Sequence, residues 1–259
     1  MFSGERFREI EEELLSRAEW YDDSHPNGEK ARTLLIATTE LRRIQNLVRE
    51  NYPEEANSGR AYQDIFINKG VNSLFALHQV LKHRLYDAAY REIRYLFESY
   101  WVVKGLNRDQ EEAARILNRQ LEELGELDPD LSEVERTMYE YESVDELHGI
   151  LSDEKTRLKD SDPAYGRIYN FMSNRSTHPV RIEGSLLDGK GDLLEEEQCL
   201  RLGLVLLFGL MKELRKTYQG TSAEEEIVME SQPSIRQIEE VMPEEIPTFL
   251  LENYPDQST

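Results

Sequence analysis

The longest apolar stretch, LGLVLLFGLM at residues 202–211, limits what this chain can become. Crossing a bilayer takes about 20 apolar residues, so this run is too short. It lies inside a longer segment, 192–218, that reads as the most apolar helix of the chain, greasy on nearly every side. A helix of that kind belongs near the centre of a bundle, wrapped by others. The wrapping helices show as apolar residues recurring at steps of three and four. In 29–52 these are Leu34, Ala37, Leu41, Ile44 and Val48, with Pro53 ending the helix. In 61–81 they include Ile65, Val71, Phe75 and Leu81, and Gly70 offers close packing or a mild bend. In 84–104 they are Leu85, Ala89, Ile93, Leu96, Tyr100 and Val103. The stretch 72–104 reads as two helices or one kinked helix, against which the rest packs. Further helices are expected at 5–20, at 107–124 with Asn107 as its cap, and at 163–172. The reading is therefore all-α: a bundle of about seven to nine helices. It places one domain at 1–221, with 125–160 a charged insertion or peripheral layer, and an acidic C-terminal stretch at 222–259.

Charge comes next. The chain carries 52 acidic against 31 basic residues, a net charge of −21. Such a surface repels phosphate backbones unless a local basic cleft overrides it. It also fits a high-salt cytoplasm, where screening removes self-repulsion, so a halophilic archaeal source is expected. Residues 222–259 hold ten acids, one arginine and four prolines. They still contain apolar residues, so they could wrap the bundle, dock on a second copy, cover a positive cleft or stay solvated. The single cysteine, Cys199, excludes an intramolecular disulfide framework and reads as a buried small residue. The first residues are charged from the start, with no signal-peptide pattern, which places the chain in the cytoplasm.

Few motifs carry chemistry. His78 and His83 are five apart and share no helix face, so a zinc pair is not expected, and His25 reads as an exposed turn residue. Glu195, Glu196 and Glu197 are adjacent, which suits a solvated helix start better than a carboxylate metal cluster. Arg42, Arg43 and Arg49 point outward, either as a small basic patch or balancing nearby carboxylates. Tyr86, Tyr90, Tyr95, Tyr100 and Trp101 could stack bases, although core packing is the commoner use. No metal and no cofactor is expected. The candidate catalytic group is Arg94, Glu98, Arg175 and His178, with Tyr169, Ser173 and Asn174 as further polar residues. A four-residue step sets the Arg94 guanidinium over the Glu98 carboxylate. A histidine beside a helix end suits acid–base work near neutral pH, and an arginine fork holds phosphate or carboxylate. The same residues could instead form a buried network that only fixes two helices together.

The Arg94-x-x-x-Glu98 helix, followed by Tyr169-x-x-x-Ser173-x-x-x-x-His178-Pro179, resembles helical proteins of the HEPN and abortive-infection type. The resemblance spans residues 30–218, with the central charged region as an insertion. It implies an all-helical bundle, often dimeric, with a polar site near its interior or the dimer groove. Active HEPN members are metal-independent ribonucleases of toxin–antitoxin and antiviral systems. Their pattern sets four to six residues between arginine and histidine. Here only Ser176 and Thr177 separate Arg175 from His178, and ten residues lie between Arg167 and His178. Two functions follow as expectations. One is a non-catalytic bundle that binds a protein partner, such as an antitoxin or defence component, with a homodimer allowed. The alternative is a metal-independent endoribonuclease acting on RNA, with His178 as general acid and base and Arg94 or Arg175 stabilising phosphoryl charge.

Overall fold

The computed structural model describes residues 25–56, 60–108 and 191–242, together with positions 111, 115, 152, 153, 156 and 157. Among these residues the fold is all-α, with six helices and no strand. They are α1 (Gly28–Asn51), α2 (Pro53–Ala56), α3 (Ala61–Lys82), α4 (Tyr86–Arg108), α5 (Gly191–Thr217) and α6 (Glu224–Val241). The expected helices at 5–20 and 163–172, the insertion at 125–160 apart from positions 152, 153, 156 and 157, and residues 243–259 lie outside the described residues.

The apolar spacing accounts for the core. Leu34, Ala37, Leu41, Ile44 and Val48 of α1 are all fully buried. In α5, Leu204, Leu206, Leu207, Phe208, Leu210 and Met211 are buried, which sets this helix at the centre. Each fully buried side chain of this size contributes about 1.5–3 kcal/mol. Cys199 is buried among them. Directions follow from the contacts. Lys30 meets Glu197 and Gly203 lies against Leu34, so α1 and α5 run parallel. Tyr90 meets Gln198 and Asn107 meets Glu213, so α4 runs the same way. Gly70 lies against Leu210 and Asp64 meets Tyr218, so α3 is antiparallel to all three. The α3–α5 crossing is close because glycine occupies it from both sides. A Cβ on Gly70 would come within 2.6 Å of Leu210 Cδ1, and one on Gly203 within 2.8 Å of Leu77 Cδ2.

The stretch 72–104 is two helices, and the break between them is explicit. The amide of Leu85 donates to the carbonyl of Val80 at 3.0 Å, and that of Arg84 to Leu81 at 2.9 Å. This is the paired closure of a Schellman motif, with Arg84 at φ 55° in the left-handed position that glycine usually fills. The closure turns the chain at Leu85, so Leu85 leaves the apolar stripe and is 54% exposed, while Ala89, Ile93, Leu96, Tyr100 and Val103 are buried. Ile65 is likewise exposed, on the outer side of α3.

Other expectations need correcting. Asn107 caps no new helix: α4 runs on through Arg108, and the Asn107 amide instead reaches α5. Beyond the expected stop at Pro53, residues Pro53–Ala56 form the short α2. Glu195 and Glu196 are buried rather than solvated. The first half of the acidic stretch forms α6, antiparallel to α1, since Tyr52 meets Glu226 and Arg43 meets Glu230. Ile227, Ile235 and Ile238 are the buried side of this helix. No helix among the described residues is long and apolar enough to cross a membrane.

Candidate functional site

Two polar regions merit a chemical reading. The first is the sequence-expected pair on α4. Arg94 and Glu98 sit one turn apart, and Arg94 Nε donates to Glu98 Oε1 at 3.0 Å. Their side chains are 31% and 26% exposed, so the pair lies at the rim of the bundle. Trp101, on the adjoining face, is fully buried and tilts against Phe97 with ring centroids 5.6 Å apart. Tyr86, Tyr90 and Tyr100 are buried as well, and Tyr95 is half-exposed, so most of the aromatics of α4 pack the core. Arg175, His178, Tyr169, Ser173 and Asn174 lie outside the described residues.

The second region is the end of the bundle where α1, α4 and α5 finish and α3 begins. Of its residues, the sequence singles out Arg49, as an outward arginine, and Asn107, as a helix cap, and neither as part of a site. Asp64 of α3 is buried, and the hydroxyl of Tyr218 donates to its Oδ2 at 2.9 Å. Arg49 Nε lies 3.9 Å from the same oxygen, and Asp64 Oδ1 is buried without a hydrogen-bond partner. Gln45 of α1 donates to the Asp64 backbone carbonyl at 3.1 Å. Burial pushes the Asp64 carboxyl up, against the opposing pull of the Tyr218 hydrogen bond and the Arg49 charge. Burial and the adjacent carboxylate together raise the Tyr218 phenol well above its ordinary range. Beside them, Asn107 Nδ2 donates to the Glu213 carbonyl at 3.0 Å and to its carboxylate at 2.9 Å. Thr217 Oγ1 lies within hydrogen-bond distance of Asn107 Oδ1 and the Glu213 carbonyl. Arg60 donates to the Thr217 carbonyl at 2.9 Å.

Chemically this end braces helices. The contacts of Tyr218, Gln45 and Asn107 each join separate elements, and Arg60 answers the Thr217 carbonyl that the end of α5 leaves open. Its signal in the sequence is a polar residue standing where the apolar stripe should continue. Gln45 follows Ile44, and Glu213 precedes Leu214.

Histidine chemistry is limited here. His78 is buried, and its pKa is lowered to about 4 by burial and by the charge of Lys82, so it is neutral at ordinary pH. His83 is exposed at the end of α3. His25 is half-buried rather than fully exposed; its Nδ1 accepts the Asn27 amide at 3.2 Å and lies 3.8 Å from Glu196. Among the described residues no group of three or more His, Cys, Asp or Glu could hold a metal ion. Compared with family models, curated proteins and solved structures, the chain matches none.

Proposed function

We propose that this chain is a HEPN-like helical bundle that works by binding a protein partner, as one component of a defence or toxin–antitoxin pair. In this reading α1, α3, α4 and α5 make the HEPN-like core, and a homodimer is one form it takes. The Arg94–Glu98 contact carries the proposal, because it keeps a forked cation and a carboxylate together on α4 at the partly exposed rim of the bundle. A pair one turn apart on a helix and in contact with solvent adds little to stability, so its use is better sought in recognition. The buried polar end, by contrast, spends its hydrogen bonds on holding helices together.

The test uses the full chain and an Arg94→Ala/Glu98→Ala variant as baits in extract from the source cell. A protein held by the wild type and lost by the variant, with circular dichroism unchanged, is the expected result. Equal retention by both overturns the assignment of this face. The same preparations are incubated with single-stranded and structured RNA in the presence of a chelator. RNA cleavage that disappears in His178→Ala replaces the binding reading with the endoribonuclease one.

A further inference from the structure

In a chain with 52 acids and 31 bases, a cation without a carboxylate neighbour is the unusual case. Arg43 pairs with Glu40 and Glu230, Arg60 with Glu55, and both Lys30 and Arg201 with Glu197. Arg42 and Lys69 differ. Among the described residues neither contacts a carboxylate, and each is held over a phenyl ring. The Arg42 guanidinium lies 5.6 Å from the centre of Phe75, and Lys69 Nζ lies 4.6 Å from the centre of Phe66. Arg42 also donates to Asn72 Oδ1 at 2.5 Å, which fixes it across the outer face of α3. Lys69 leans back over Phe66 while Arg42 reaches Asn72 and Phe75, so the two cations stand at separate points along α3. Ile65, 44% exposed, lies on the same outer face.

We infer that this α1–α3 face is a docking surface for an acidic amphipathic helix of another polypeptide. That helix presents carboxylates to Arg42 and Lys69 and seats an aliphatic side chain on Ile65. Charge complementarity selects the partner: two cations with no acid of their own stand on a strongly acidic molecule. The rings beneath the cations hold them in place before binding, which lowers the cost of ordering them. A nucleic acid fits less well. The ring faces that would stack bases are covered by the cations, and two positive charges are a small footprint for a polyphosphate. The inference deepens the binding reading but uses a different face from Arg94 and Glu98.

The experiment is fluorescence anisotropy with the full chain. The probes are a labelled synthetic helix of about five turns with glutamates one turn apart around leucines, its scrambled counterpart, and an oligouridylate of matched charge. The ordered helix is expected to bind about tenfold or more tighter than the scrambled peptide, and Lys69→Glu to remove that preference. Lys69 is exposed, so this variant keeps its fold, which circular dichroism checks. Ile65→Ser is expected to weaken binding with both cations in place. Equal binding of the two peptides, binding unchanged in Lys69→Glu, or a preference for the oligouridylate overturns the inference. Arg94→Ala/Glu98→Ala leaves this titration unchanged, so the two proposals fail separately.

Discussion

The Arg94–Glu98 and Asp64–Tyr218 contacts are nearly equal in length, at 3.0 and 2.9 Å, yet they belong to opposite physical regimes. The first joins neighbours on one helix in contact with water. The second joins residues 154 positions apart, both buried in the bundle. Solvent competes for the first and screens it, so little is lost when it breaks. Nothing replaces the second, so removing one partner leaves the other buried and unanswered. A short hydrogen bond therefore says little about what depends on it; burial and chain separation say more.

That contrast can be tested in order of expected effect. Tyr218→Phe keeps the ring and deletes the hydroxyl, leaving Asp64 without its hydrogen bond to Oδ2. A loss of about 1–3 kcal/mol in urea unfolding is expected. Asn107→Ala does the same to Glu213, which retains only Lys216 at 3.7 Å, and belongs at the lower end of that range. Either variant unfolding like the wild type would place these contacts in the same class as the exterior pair.

Asp64→Asn probes protonation. A carboxyl held above its unfolded pKa favours folding while protonated. Its contribution is complete below the unfolded value of about 3.9 and is lost as pH rises through the folded value. Asp64 is shifted in that direction. The stability of Asp64→Asn relative to the wild type should therefore climb with pH in urea titrations run upward from pH 4. A flat difference would remove Asp64 as a proton-linked group. The smallest effect is expected on α4. A double-mutant cycle on Arg94 and Glu98 should give a coupling of about 0.3–0.5 kcal/mol, shrinking further in molar salt.

The same contrast explains what the sequence made legible. Periodicity is local, so it found the α1 stripe, the central α5 and the Arg94–Glu98 step. Its errors fall where local rules yield to long-range ones. Leu85 fits the spacing but lies in the turn that Arg84 closes. Asn107 looks like a cap because asparagine favours caps, yet Glu213 from a distant segment claims its amide. Glu195 and Glu196 read as solvated because they are charged, and they are covered in the fold. Nothing within a helical turn of Asp64 points to Tyr218. Of the candidate site, the α4 half was legible as a pair; its expected partners fall outside the described residues.

The shared direction of α1, α4 and α5 has an electrical consequence. Peptide dipoles in these three helices add, and among the described helices α3 and α6 oppose them, so each of the three carries a partly positive beginning and a partly negative finish. Charged side chains at the termini run the other way: Glu29 and Asp87 near the beginnings, Arg49, Arg108, Arg215 and Lys216 near the finishes. At the termini of these three helices, then, the side chains carry the sign opposite to that of the backbone beneath.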